Sequence, residues 1–99
     1  MSKKGYWIGH VDVTDPERYK DYIAANAVPL GKYGARFLVR NGECEVPEGS
    51  LKGRRHVVIE FKDYATALAC YESAEYKAAA AVRDKYSSAD VIVIEGYEG

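Results

Sequence analysis

Apolar and polar positions alternate with the period of a strand in Gly5-Tyr-Trp-Ile-Gly-His-Val-Asp-Val13. Strand side chains point alternately to opposite faces. Trp7, Gly9, Val11 and Val13 therefore share one face, and Tyr6, Ile8, His10 and Asp12 the other. The first face is apolar and can receive a helix. The second is apolar at one end and ionisable at the other, which predicts that it lines a cavity.

The period then lengthens to that of a helix. Thr14-Asp-Pro-Glu17 is a start signal: either Asp15 caps the helix with Pro16 in its first position, or Thr14 and Glu17 form a capping box. Tyr19, Tyr22, Ile23, Asn26, Ala27 and Leu30 form one stripe. Pro29 predicts a kink or an end to the regular helix, and Gly31 and Gly34 close the segment. A second strand is expected over Ala35–Arg40, with Phe37 and Val39 on one face and Arg36, Leu38 and Arg40 on the other. Asn41-Gly42 marks a tight turn. Glu43 to Val46 is expected as a short returning arm, and Pro47 to Gly53 as a loop. In a third strand, Arg54–Phe61, Arg55, Val57, Ile59 and Phe61 oppose Arg54, His56, Val58 and Glu60. Asp63 caps a helix through Tyr64, Ala67, Leu68 and Tyr71. Ser73 restarts it, and Tyr76, Ala79, Ala80, Val82, Arg83 and Tyr86 follow. Ala89–Glu95 is the last strand.

This order predicts an α+β, ferredoxin-like βαββαβ fold: a four-stranded antiparallel sheet with helices on one face. The first and third strands are expected as central neighbours, parallel because each is reached through a crossover. The helix-free face would carry Tyr6, Ile8, Leu38, Val58, Ile92 and Ile94. Burying one such group is worth about 1.5–3 kcal/mol, and an apolar patch of this extent marks an interface. A two-fold homodimer is therefore expected. Two sheets packed in this way make a barrel with a cavity between sheet and helices or between the sheets.

Composition narrows the function classes. The 99 residues fit a single domain over 1–99. A net charge of −1 gives no footprint for nucleic acid or anionic membrane. No segment reaches the roughly 20 apolar residues of a membrane span. Met-Ser-Lys-Lys-Gly runs into His10 and Asp12 without an apolar stretch, so no export signal is expected. Cys44 and Cys70 lack zinc-site spacing and read as inert thiols in a reducing, cytoplasmic setting. Nine tyrosines suit interfaces and half-wet pockets.

The candidate chemistry lies on the mixed face. His10 with Glu60 reads as a general base. Arg36 can hold a carboxylate or enolate oxygen through paired hydrogen bonds, and Arg40 shares its face. Asp12 and His56 complete the set, and Tyr6 with Tyr22 or Tyr71 adds hydroxyls. This set suits a small acidic or phenolic ligand and proton transfer. The same residues can instead form a satisfied ion-pair network across a dimer seam. His10 and His56 lack a third metal ligand, neither helix carries a histidine for haem, and no cofactor is expected. Gly31 to Gly34 lacks the lysine of a phosphate loop, and the aromatic strand of RNA-recognition folds is absent.

Gly5–Val13 with Thr14-Asp-Pro-Glu17, Lys32-Tyr-Gly-Ala-Arg-Phe-Leu-Val-Arg40, Val58-Ile-Glu-Phe61 and Tyr71-Glu-Ser-Ala-Glu-Tyr76 resemble the domain of unknown function 1330 family. That family belongs to the dimeric α+β barrel superfamily. The resemblance covers nearly the whole chain. It implies the ferredoxin-like fold, a dimer, and no agreed catalytic residues. The wider superfamily ranges from cofactor-free monooxygenases and isomerase-like proteins to haem enzymes and regulatory domains, so fold does not supply function. Two expectations follow. One is a pocket for a small acidic or phenolic molecule, with cofactor-free isomerase or monooxygenase-like chemistry. The other is a non-catalytic structural or regulatory homodimer whose polar cluster sets the pairing.

Overall fold

The computed structural model describes residues 3–98, so Met1 and Ser2 of the stretch read for an export signal lie outside it. The elements are β1 (Gly5–Val13), α1 (Pro16–Lys32), β2 (Arg36–Arg40), β3 (Arg55–Phe61), α2 (Tyr64–Glu72), α3 (Ala74–Tyr86) and β4 (Ser87–Glu95). The strands form one sheet in the order β2-β3-β1-β4. This is the expected ferredoxin-like α+β fold.

One expectation about the sheet is corrected. β1 and β3 are neighbours, but they run antiparallel. The α1 crossover returns β2 in the direction of β1, and β3 then reverses to pair with β2 antiparallel. Inserted next to β1, it must oppose it.

Local signals explain the helix boundaries. Of the two α1 starts, the Asp15 cap is realised: its carboxylate accepts from Arg18 N–H at 3.1 Å, and Pro16 takes the first position. α1 runs through Pro29 to Lys32 rather than ending there. A proline in a helix removes one backbone hydrogen bond. Here its ring is fully buried, and its carbonyl still accepts from Tyr33 N–H at 3.1 Å. Asp63 caps α2 by accepting from Thr66 N–H at 2.7 Å, which holds its carboxyl below the ordinary range. The Ser73 hydroxyl donates to the Cys70 carbonyl at 2.7 Å and accepts from Tyr76 N–H at 3.1 Å. One side chain thus closes α2 and opens α3.

Three local features differ from expectation. Glu43–Val46 forms no strand, and the chain from Asn41 to Arg54 is loop. β4 begins at Ser87, directly off α3, where the Tyr86 carbonyl accepts from Thr14 and Asp15 N–H at 2.8 and 3.3 Å. β2 carries a register shift: Phe37 opposes Ile59, but Val39 opposes Val58 and Arg40 opposes Val57. The extra residue, Leu38, reverses the face of everything after it. Arg40 therefore joins the helix side, against expectation, and its guanidinium lies 4.4 Å over the Phe37 ring.

Between helices and sheet, Trp7, Val11, Ile59 and Phe61 meet Tyr19, Tyr22 and Leu30 of α1 and Tyr76 of α3. Trp7 is the hub. Its indole N–H donates to the Ala67 carbonyl at 2.8 Å, and its ring lies 4.7 to 5.3 Å from those of Tyr76, Phe61 and Tyr71. The opposite sheet face is uncovered and leaves Ile92 52% and Ile94 45% exposed.

Candidate functional site

The sheet separates two regions where chemistry-bearing side chains gather. On the open face the register stacks three rows. Arg36, Glu60, Tyr6 and Ile94 form the first, and Val39, Val58, Ile8 and Ile92 the second. His56, His10 and Asp90 form the third.

The outer rows are polar. The Tyr6 hydroxyl donates to Glu60 Oε2 at 3.4 Å, and its pKa is raised by desolvation and by the Glu60 charge. His10 and His56 meet through their Nδ1 atoms at 2.9 Å. One ring must donate and the other accept, so the shared position holds a single proton. Arg54 Nη1 donates to Asp90 Oδ2 at 2.6 Å.

This arrangement does not assemble the expected His10–Glu60 pair. His10 faces His56, and Glu60 lies four residues further along β3, roughly 13 Å away at strand spacing. The apolar row lies between them. Alternation assigns a side chain to a face, but it says nothing of register. Asp12 is exposed and opposes Ser88, beyond the end of the β1–β3 pairing. Tyr22 lies on the other side of the sheet altogether.

On the helix side is a cavity of about 250 Å³. Its floor is the face of Trp7, Gly9 and Val11; α1 supplies Tyr22 and Asn26, and α3 supplies Tyr76 and Arg83. Gly9 matters because a Cβ there would stand 3.1 Å from Val57 Cγ2, inside the space the cavity occupies.

Its electrostatics are one-sided. Arg40, Arg55 and Arg83 line it, and no aspartate or glutamate does. Arg83 is 7% exposed. Its Nη1 donates to the Tyr76 hydroxyl at 2.9 Å, and the Tyr76 and Tyr22 oxygens lie 2.9 Å apart. Its other face donates to the exposed Asp84 carboxylate at 3.2 and 3.3 Å. Burial pushes both phenols up, most strongly Tyr76, where the Tyr22 oxygen adds to the effect. Burial works against the Arg83 cation, but the Tyr76 and Tyr22 oxygens more than offset it and its pKa is raised. At neutral pH the cluster is thus a fixed cation behind two neutral phenols. The cation polarises Tyr76 into the better donor, so the chain runs from Arg83 through Tyr76 to Tyr22 and frees the Tyr22 hydrogen for a guest. Asn26 is likewise 7% exposed, and its Oδ1 has no partner.

Of the residues singled out from the sequence, only Tyr22 and Arg40 reach this cavity. The one overlooked signal was polarity inside an apolar stripe. Asn26 and Arg83 each occupy a core-facing position on a helix, where a polar residue needs a reason.

The fold and the pocket define a ferredoxin-like α+β domain with a cationic cavity between helices and sheet. Residues 4–97 match the family described as Domain of unknown function (DUF1330), and the chain belongs to that family. A protein of unknown function from Rhodopseudomonas palustris superposes with TM-score 0.74 at 13% identity, covering 100% of this chain and 86% of its own. SnoaB, a cofactor-independent oxygenase from Streptomyces nogalater, gives 0.67 at 11% identity, over 99% and 97%. A candidate antibiotic biosynthesis monooxygenase from Caulobacter crescentus gives 0.66 at 13%, over 98% and 92%. At these identities the likeness is one of fold. No curated protein matches the chain. Among the described residues no helix is long and apolar enough to cross a membrane.

Proposed function

We propose that the protein binds a small acidic or phenolic molecule in the cavity between helices and sheet. The observation that carries this is the lining: Arg40, Arg55 and Arg83 border the cavity, no carboxylate lines it, and only Arg83 has a carboxylate partner, Asp84, which lies outside the lining. The exposed Arg40 and the half-buried Arg55 have no carboxylate partner among the described ion pairs, and an anionic guest gives them one. Size sets the class. A cavity of roughly 150 Å³ holds benzene, so 250 Å³ takes one substituted ring or its aliphatic equivalent. The lining offers donors and no histidine or carboxylate base. It therefore favours a guest already present as carboxylate, phenolate or enolate. Holding an enolate or phenolate is also what cofactor-free isomerase or oxygenase chemistry needs, and the likeness to SnoaB supports that reaction class by analogy of fold.

A second role rests on the open sheet face. The row Val39, Val58, Ile8 and Ile92 crosses all four strands, and it is flanked on either side by a row with polar pairs that can fix orientation. We propose that this face pairs with a second copy of the chain. The two free cysteines support a reducing, cytoplasmic setting.

The test is a thermal-shift panel of single-ring carboxylates, phenols and the neutral amides of the same acids. A ligand at 100 times its Kd adds about 2.7 kcal/mol, on the order of 10 °C for a domain of this size. Acids are expected to raise Tm and their amides to leave it unchanged. Equal shifts for acid and amide, or none for either, would overturn the reading.

A further inference from the structure

Asn26 Oδ1 is an acceptor with no partner, on a side chain more than nine-tenths buried, and it lines the cavity. Among the described residues it is the sole fully buried side-chain oxygen or nitrogen without a hydrogen bond. Tyr76 and Tyr22 bond each other, and Arg83 bonds Tyr76 and Asp84. Folding leaves such an acceptor dry only at a cost. A leucine in the same stripe would fill the space without it, as Leu30 does one turn later.

Asn26 also sits four residues from Tyr22 on the same buried face of α1. Tyr22 presents a free hydrogen, whereas Asn26 presents a free oxygen. A hydroxyl is the neutral group that matches both, because it accepts from one and donates to the other. The arginines provide for the anion. We infer that the guest is a hydroxy-substituted acid, a phenolic or enolic carboxylate, whose hydroxyl donates to Asn26 Oδ1. Asn26 thereby selects it over acids that lack the hydroxyl. This rests on the binding reading above and deepens it.

The selection has a predictable size. A site that leaves a buried acceptor unmet disfavours the incomplete ligand by on the order of tenfold to a hundredfold. The probes are benzoate, its 2-, 3- and 4-hydroxy derivatives, and the matching methoxy compounds. A methoxy group accepts but cannot donate, so it reads the direction of the hydrogen bond.

Titration of the wild-type protein is expected to show one hydroxybenzoate binding at least tenfold tighter than benzoate, with its methoxy counterpart no better than benzoate. In Asn26→Leu that preference is expected to collapse to within about twofold. The variant's own Tm should hold or rise, since the orphaned acceptor is gone. If benzoate and all its hydroxy derivatives bind alike in wild type, a fixed water already satisfies Asn26 and the inference falls, while the anion pocket stands. Should a methoxy compound bind tightest, the amide faces the other way and the inference falls too. If nothing in the set binds, including benzoate, the binding reading itself is overturned, and with it the inference. The wild-type comparison decides the matter even where the Asn26→Leu protein fails to fold.

Discussion

Arg83 Nη1 stands 2.9 Å from the Tyr76 hydroxyl, behind the aromatic wall of the cavity. The contact joins α3's last turn to its first and, through Tyr22, to α1. It makes one residue answerable for both packing and charge. Arg83→Met keeps the length of the side chain and removes the cation. Tyr76 and Tyr22 would still bond each other, so the loss is about 1–3 kcal/mol, that of a charged hydrogen bond. Urea denaturation should show the midpoint falling with an unchanged slope. Acid binding in the cavity should weaken in the same variant.

The buried phenols predict alkaline sensitivity. Tyr22 and Tyr76 have folded pKa values raised above the unfolded value, by burial first. The native state therefore holds protons that the unfolded chain releases near pH 10. Their contribution is fully present below that pH and is lost as pH rises above it. Tyrosinate absorbance should rise in two stages. The buried pair ionises only in the second stage, together with unfolding. Ionisation of all tyrosines in one smooth step with the fold intact would contradict this.

The thiols differ in access. Cys44 is exposed and Cys70 is buried, and burial pushes the Cys70 thiol up to about 11. A disulfide reagent at pH 8 should therefore titrate one equivalent promptly, at Cys44, and the second only in denaturant. Cys44→Ser should abolish the prompt reaction.

The open sheet face predicts self-association that a single charge breaks. Ile92 is 52% exposed and opposes Ile8 in the middle row. Ile92→Lys should reduce a dimer to monomer by light scattering, with the circular dichroism spectrum unchanged. A wild-type protein that is monomeric at high micromolar concentration would remove the dimer from the account.

Patterning made much of the fold legible and left the His10–Glu60 proximity and the cavity out of reach. Alternation in β1 and β3 assigned Trp7, Val11, Ile59 and Phe61 to one face, and they are the sheet's share of the core. Capping chemistry located the starts at Asp63 and Ser73 and narrowed that of α1 to Thr14 or Asp15, of which the fold uses Asp15. The His10–Glu60 pair went wrong because register depends on turn geometry and bulges, which leave little trace in local pattern. Arg40 went wrong through the shift at Leu38. The cavity was harder still. Gly9 contributes by having no side chain, and Asn26 and Arg83 hide within stripes that read as apolar. The two histidines and Glu60 lie on the open face, whereas the empty space lies behind the sheet.

Gly9 offers a way to close the cavity without touching any charge. Its missing side chain opens the floor beside Val57 and Val91. Gly9→Val places two methyl groups there and should abolish acid binding while the arginines stay in place. Crowding against Val57 should cost about 1–3 kcal/mol, measured by urea denaturation.

Trp7 is the protein's single tryptophan, and it lines the cavity. Its emission therefore reports directly on occupancy. A fluorescence titration with benzoate, benzamide as control, should give a saturable change for the acid in wild type and none in Gly9→Val. Flat emission with the acid would contradict the central claim, as would a saturable response that survives in Gly9→Val or is matched by benzamide.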